Sequence, residues 1–176
     1  NIQWIQEQFF PREKEEYGDK IFDYMNDEIE KVPAGSDHLI CTPWMLGERC
    51  PVSSTTTRST LFNINMEHTR AHMLRALYEG IAYNLRWILE NYEKDYGFDC
   101  NNFRIIGGGA LNDAWMKIIA DVTGKRFAIV KDPRNAGAVG VAAVALIGLG
   151  ELEGFEAVKD FVEVERHYAP NPENKK

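Results

Sequence analysis

The sequence predicts an α/β fold, because apolar strand-like runs alternate with helical patterns in its second half. Residues 103–109 (FRIIGGG) form an apolar run that ends in three glycines, and residues 111–124 repeat apolar side chains at helical spacing. Residues 126–130 (RFAIV) are a second strand, and residues 136–150 are a helix of small side chains. This βαβα order is typical of a sheet with helices on its faces.

Length and composition limit the class of protein. The 176 residues, 44% of them hydrophobic, suffice for one domain with a sizeable core. The formal charge of -7 disfavours a nucleic-acid-binding protein, which neutralises phosphates with basic side chains. The longest apolar run, residues 139–149, is too short to cross a bilayer, so we predict no membrane partner.

Cysteine usage and the N-terminal residues indicate a cytoplasmic protein. Cys41, Cys50 and Cys100 are an odd number without close pairing, which suits a reducing compartment. The first residues lack the basic start and apolar middle of a secretory signal. The chain does not begin with Met, and we expect it to be part of a longer polypeptide.

The first 60 residues predict two short helices, a strand and a loop. Residues 4–10 have helical apolar spacing, as does the run from Ile21 to Val32, which ends at Pro33. Residues 37–46 are mostly apolar and predict a strand, and a polar loop follows.

A second strand and the longest helix follow that loop. Residues 61–65 are the strand candidate. A continuous apolar stripe over residues 66–97 predicts the helix, and Asn65 is the candidate for its N-cap.

Several side chains have both a functional and a structural interpretation. Cys41, Cys50, His68 and His72 are the residue types of a zinc site. Eight residues separate the two cysteines, whereas zinc ligands usually come in close pairs, so the spacing favours ordinary packing and capping.

Carboxylates and tryptophans are interpreted in the same way. Asp121 and Asp132 are alternatives as Mg²⁺ ligands, although carboxylates at such positions more often cap helices and turns. The four tryptophans lie on apolar faces and are predicted to be core residues rather than stacking platforms: Trp4, Trp44, Trp87 and Trp115.

The glycine run is the segment most suited to binding chemistry. A strand that delivers Gly107, Gly108 and Gly109 to a helix starting near Asn112 places bare N–H groups at the positive end of a helix dipole, where anions bind. GGGA is neither the GxGxxG of dinucleotide folds nor a Walker loop, so the pattern alone leaves a nucleotide site and a plain turn both open. An NAD-dependent dehydrogenase is disfavoured for the same reason.

Four motifs in this order resemble the C-terminal domain of the FGGY family of carbohydrate kinases, in its xylulokinase and gluconokinase branches: LGERCP, MEHTRAHMLRALYEGIAYNLR, IIGGGALNDAWMKIIADVTGKRFAIV and NAGAVGVAAVALIGLG. The resemblance implies an actin-like, ribonuclease-H-like ATPase domain with a mixed sheet flanked by helices. It implies a nucleotide-binding domain over residues 1–168, a flexible tail over residues 169–176, and an N-terminal domain that this chain lacks.

The resemblance also implies where a nucleotide lies. The glycine turn would line the adenosine and phosphates, with one of the next two polar residues near the adenine, and residues 136–145 would pack behind the pocket. Gln3 matches a glutamine close to the nucleotide, or is a solvent-facing helix residue. The cofactor-binding candidates are Gly108, Gly109, Ala110, Asn112, Asp113 and Gln3.

Other motif residues are expected to be structural. Glu48 and Arg49 of LGERCP are interpreted as an ion pair that shapes the loop. His68, Arg70 and His72 are interpreted as capping and interdomain packing residues.

The function implied is transfer of the ATP γ-phosphate, with Mg²⁺, to a hydroxyl of a pentulose such as xylulose or of a related sugar acid. The family's catalytic base and the sugar-binding domain lie outside this chain, so we expect no catalytic residue and no metal ligand here and predict that the chain alone is inactive. Its uncovered interdomain faces allow a homodimer. The alternative is a catalytically silent actin-like binding or regulatory module.

Overall fold

A computed structural model describes residues 1–97 and 100–174 of the chain. Residues 175 and 176 of the predicted tail lie outside the described residues. The helices are α1 (Ile2–Phe9), α2 (Pro11–Tyr17), α3 (Ile21–Glu30), α4 (Arg70–Tyr96), α5 (Asp113–Thr123) and α6 (Ala136–Gly148). The strands are β1 (Ile40–Thr42), β2 (Thr60–Phe62), β3 (Asn102–Ile105), β4 (Arg126–Val130) and β5 (Val164–Tyr168).

The larger sheet is mixed and has the order β3-β4-β5. β3 and β4 are parallel, with Asn102 opposite Arg126, and α5 makes the crossover between them. β5 returns antiparallel to β4, with Tyr168 opposite Phe127. The predicted α/β architecture is confirmed. β5 was not predicted, because its sequence VERHY alternates with charged residues rather than forming an apolar run.

The smaller sheet pairs β1 with β2 antiparallel, Ile40 opposite Phe62. β1 is much shorter than the predicted strand over residues 37–46, because Asp37 and His38 have positive φ angles of 49° and 70°. Pro43 follows the strand directly and lacks a backbone N–H to donate. The predicted strand is therefore limited to three residues.

The long helix α4 begins later than predicted. Its N-cap is Thr69, which forms a reciprocal capping box with His72, and the Thr69 N–H donates to His72 Nδ1 at 3.2 Å. The prediction of Asn65 as N-cap is wrong. Asn65 Oδ1 instead accepts the Glu67 N–H at 2.8 Å and stabilises the turn that precedes the helix.

The main core lies between α4 and its neighbours α1, α3, α5 and the two sheets. Its side chains are mainly aliphatic or aromatic, and the predicted apolar stripe of α4 is confirmed as far as Ala82, whereas Tyr92 near the end of the stripe is 43% exposed. The largest fully buried side chains include Phe10, Met25, Ile29, Leu39, Leu74, Leu77, Tyr78, Met116 and Ile129.

Two predictions about packing are wrong. α6 was expected to pack closely by its small residues, but Val139, Val141 and Val144 are exposed and only Ala143 of the helix is buried. Trp4 and Trp87 were expected in the core, but they are 48% and 39% exposed. α6 packs chiefly against the turn that precedes β5 and so leaves most of its surface uncovered in the described part of the chain. None of the described helices is long and apolar enough to span a bilayer.

A buried ion pair joins α4 to the segment after α3. Glu79 Oε1 accepts hydrogen bonds from Arg75 Nε at 2.8 Å and from the Gly35 N–H at 2.9 Å. Glu79 Oε2 accepts the Ser36 hydroxyl at 2.8 Å. Arg75 also donates to two main-chain carbonyls at the end of α3. Both charges have several hydrogen-bond partners, so their burial is tolerated.

Replacing Arg75 with Met should lower the free energy of unfolding by about 3 kcal/mol, because it leaves the Glu79 carboxylate buried without its cation. Urea denaturation measures the loss. Arg86→Met is the control, since Arg86 forms an i,i+4 pair with Glu90 on the same helix but in solvent, besides a long hydrogen bond to the Val122 carbonyl at 3.3 Å. The control should lose at most about 0.5 kcal/mol, and equal losses in the two variants would contradict the assignment of a buried anchor.

Candidate functional site

The candidate site is the corner that joins β3 to α5. Gly107 has a φ of +93°, which favours glycine, and its N–H donates to the Pro133 carbonyl at 2.7 Å. Residues Gly108–Leu111 form a 3₁₀ turn, and α5 starts after Asn112, whose Oδ1 accepts the Trp115 N–H at 2.8 Å. The predicted strand, glycine turn and helix are confirmed, and Asn112 is the helix N-cap.

Two backbone donors at this corner are free. The N–H groups of Gly108 and Gly109 have no hydrogen-bond acceptor within the described residues. The N–H groups that follow are used by the turn, since Ala110 donates to Gly107 at 3.2 Å and Asn112 donates to Gly109 at 3.1 Å. Two adjacent free donors in the turn that precedes the positive end of an 11-residue helix suit an anionic group such as a phosphate.

Gly108 and Gly109 differ in what a side chain would meet at each position. A Cβ at Gly109 would lie 2.7 Å from the Trp115 ring, so packing forbids a side chain there. A Cβ at Gly108 would meet nothing within 4 Å. Gly109 therefore has a structural explanation, and Gly108 is the position where the backbone is open to a ligand.

Two aromatic side chains pack behind the glycine turn: Trp115 contacts Gly109, and Tyr78 contacts Trp115. Trp115 lies edge-on to Tyr78, with ring centroids 5.6 Å apart, and Tyr78 is fully buried. Burial raises the pKa of the Tyr78 hydroxyl. Neither Tyr78 Oη nor Trp115 Nε1 has a hydrogen-bond partner in the part of the chain that the structure describes. Trp115 therefore acts on the turn through packing, whereas the Tyr78 hydroxyl also interacts with the Asn112 side chain, which lowers its pKa against the larger effect of burial.

Asp113, the first residue of α5, is held by β5. Its Oδ1 accepts hydrogen bonds from Arg166 Nη1 at 2.5 Å and from the Tyr168 hydroxyl. Burial and then the bond to the Asp113 carboxylate raise the pKa of Tyr168 to about 12. Sequence reasoning missed Arg166 and Tyr168, because β5 itself was not predicted and their contact spans more than 50 residues.

Gln3 lies apart from the corner. It is exposed on α1, and its Nε2 donates to Glu7 Oε1 at 3.2 Å on the same helix. Within the described residues, Gln3 makes no contact with the glycine turn. The structure thus brings together five of the six candidates, and the placement of Gln3 fits its solvent-facing interpretation.

The LGERCP loop does not contain the expected ion pair. Glu48 Oε1 accepts the N–H groups of Arg49 at 2.7 Å and Cys50 at 3.2 Å, and these backbone bonds lower the pKa of Glu48. Its Oε2 accepts Asn84 Nδ2 at 3.0 Å, and Asn84 Oδ1 accepts Trp44 Nε1 at 3.1 Å. Glu48 shapes the loop through main-chain hydrogen bonds, which a carboxylate forms as readily as an ion pair.

The described residues do not supply a ligand set for Mg²⁺. No three side chains of His, Cys, Asp or Glu converge in residues 1–97 and 100–174. Asp121 accepts the Asn171 N–H and Asn174 Nδ2, each at 2.7 Å, and Asp132 accepts Asn135 Nδ2 at 2.7 Å. Both carboxylates are therefore engaged in structural hydrogen bonds.

Known proteins match this chain in sequence and in structure. A profile of the C-terminal domain of the FGGY family of carbohydrate kinases matches residues 1–149. A xylulose kinase of Bacillus subtilis is 30% identical over 99% of this chain and 33% of its own length. A gluconokinase of Bacillus licheniformis is 26% identical over 99% of this chain and 34% of its own length.

A solved structure of a xylulose kinase has a similar fold. The crystal structure of a xylulose kinase from Rhodospirillum rubrum superposes with a TM-score of 0.80 at 31% identity, over 98% of this chain and 33% of that one. The chain thus spans about a third of the length of the curated relatives that it matches.

Gly109→Ala should destabilise the protein by about 1–3 kcal/mol, because its Cβ would overlap the Trp115 ring. In a Trp115→Leu background the same substitution should have little further effect, since the ring is gone. A double-mutant cycle in urea measures this coupling. Gly108→Ala is the control and should change stability by less than about 0.5 kcal/mol. If Gly109→Ala is equally harmful in both backgrounds, the contact with Trp115 is not what requires glycine.

Proposed function

The chain belongs to the FGGY family of carbohydrate kinases, and from this we propose that it is the nucleotide-holding half of an enzyme that transfers the γ-phosphate of ATP to a sugar hydroxyl. The sugar is a pentulose such as xylulose or a related sugar acid. Relatives named xylulose kinase and gluconokinase support this substrate class.

The observation that carries the proposal is the pair of free N–H groups at Gly108 and Gly109. They lie in the 3₁₀ turn that leads into α5, and the dipole of that helix favours negative charge near its N-terminus. In phosphoryl transfer the protein contributes chiefly positioning and stabilisation of phosphate charge. Backbone donors fixed by Trp115 and by the Asn112 cap can do this without moving when the phosphate arrives.

The corner needs partners from the rest of the polypeptide. A helix terminus contributes about 0.3–1 kcal/mol, or up to about 2 when partly buried, whereas micromolar binding requires about 8. The Mg²⁺ ligands, the proton-accepting base and most sugar contacts therefore come, in this proposal, from polypeptide outside these 176 residues. When bound, Mg²⁺ would neutralise phosphate charge.

Residues 1–168 form the nucleotide-binding domain in this proposal, and residues 169–176 remain the predicted tail. Asn171 and Asn174 of that segment contact Asp121 on α5. Within the domain, in this proposal, the main chain from Gly108 to Ala110 faces the phosphates and adenosine, and Asn112 or Asp113 borders the base.

The proposal is tested with a matched pair of variants at Gly108, where a new side chain meets open space. Gly108→Asp should weaken ATP binding at least about tenfold, since its carboxylate would face the phosphates across a few ångströms. Gly108→Asn has nearly the same shape without the charge and should weaken binding much less. Isothermal titration of the complete polypeptide with ATP measures both.

Salt provides a second test of the charge effect. Because salt screens charges, a higher salt concentration should reduce the difference in ATP affinity between the two variants. Equal ATP affinities in Gly108→Asp and Gly108→Asn would contradict the placement of the phosphates. Phosphorylation assays with xylulose and gluconate on the complete polypeptide test the reaction itself. ATP binding without transfer to either sugar class would favour the silent binding module.

A further inference from the structure

The chain that follows β5 is bound to α5 by a single carboxylate. Asp121 of α5 accepts the Asn171 N–H with Oδ1 and Asn174 Nδ2 with Oδ2, each at 2.7 Å. Hydrogen bonds to a carboxylate are about twice as strong as those between neutral groups. One side chain of α5 therefore binds a backbone donor and a side-chain donor of the C-terminal segment.

The segment that Asp121 binds is also hydrogen-bonded within itself. Asn171 Oδ1 accepts the Glu173 N–H at 3.1 Å, and the Asn171 carbonyl accepts the Asn174 N–H at 3.1 Å. Pro172 has no N–H, so every backbone donor from residue 171 to residue 174 is hydrogen-bonded. The two prolines at positions 170 and 172 restrict the unbound segment, which reduces the entropy that it loses on docking.

The C-terminal part of the chain contacts α5 at two separate points. Arg166 and Tyr168 of β5 bind Asp113 in the first turn of the helix. The segment after β5 binds Asp121, about two turns further along the same helix. Residues 166–174 therefore run along α5 and hold it near both of its ends.

The same segment forms part of the wall of two cavities beside the buried Arg75. Ala169, Asn171 and Asn174 line one cavity of about 410 Å³, which Arg75 also lines. Asn174 lines the second cavity of about 290 Å³ together with Arg75 and Glu79. Release of the segment would open both cavities and give water more access to the buried ion pair.

We propose that residues 169–174 are a strap, latched on Asp121, that holds α5 in place and closes the cavities beside Arg75, rather than a flexible tail. The family profile matches residues 1–149, so the strap lies in a part of the chain that the profile does not describe. Its latch is one partly exposed carboxylate, so the strap can open while the core stays folded. The inference concerns α5 itself and does not depend on the proposed function.

The test is hydrogen exchange of the complete polypeptide, followed by mass spectrometry on peptides that cover α5 and residues 169–174. In the unmodified protein the amides of residues 169–174 should exchange at least about tenfold more slowly than in an unstructured peptide of the same sequence. Asp121→Asn should remove most of this protection, because an amide side chain offers one acceptor oxygen where the carboxylate offers two. Exchange in α5 should rise several-fold in the same variant.

Two further variants separate release of the strap from a local effect at residue 121. Asn174→Ala leaves the sequence of α5 intact, so faster exchange of α5 in this variant arises through the strap. It removes one of the two bonds to Asp121 and should have a smaller effect than Asp121→Asn. Asp132→Asn is the matched control, because Asp132 accepts Asn135 Nδ2 at 2.7 Å in the turn after β4, and it should change the exchange of neither peptide.

Two results would overturn the strap. In the first, residues 169–174 of the unmodified protein exchange as fast as the unstructured peptide. In the second, exchange of α5 is unchanged in both Asp121→Asn and Asn174→Ala, so that the segment lies on the helix without holding it. If Asp121→Asn fails to fold, Asn174→Ala decides alone. Titration of the same unmodified protein with ATP keeps the two proposals apart, since failure to bind ATP refutes the proposed function and leaves the exchange result intact.

Discussion

The close approach of α4 to β1 determines where the rest of the domain lies. A Cβ at Gly80 would be 2.0 Å from the Cys41 carbonyl oxygen, so the helix can sit at this depth only because residue 80 is glycine. At that depth Tyr78, two residues earlier, is fully buried against Trp115 of α5. Trp115 in turn touches the main chain at Gly109. A packing constraint in the centre of the domain is thereby transmitted to the turn that carries the free amides.

The sequence predicted best where local chemistry decides the structure. The strand, glycine turn and helix around Gly107 follow from an apolar run, a positive φ and an Asn cap, which all act within a few residues. The N-cap of α4 was missed because two residues, Asn65 and Thr69, both have capping side chains, and only the reciprocal bond from His72 selects Thr69. That choice depends on a side chain three positions further along the helix.

Features that depend on distant residues could not be predicted. β5 is strand because β4 offers a free edge, not because VERHY has a strong strand pattern. Glu48 was predicted to form an ion pair with its sequence neighbour Arg49. Its Oε2 instead accepts a hydrogen bond from Asn84 on α4, and no sequence pattern indicates that contact. α6 shows the opposite error: its small residues suggested close packing, but a helix that is apolar on every face is covered only where a neighbour exists.

The proposed function requires the corner to bind an anion although the chain is acidic. The net charge of -7 argues against binding phosphates by general attraction, so affinity must come from a few oriented groups. Here the orientation has three sources: Trp115 fixes the turn, Asn112 caps the helix, and Arg166 pairs with the only carboxylate in the first turn of α5. Each of these three contacts uses other atoms of the corner, so the N–H groups of Gly108 and Gly109 remain without an acceptor among the residues that the structure describes. In the proposed function, such a site would attract phosphate locally although the chain as a whole carries a net negative charge.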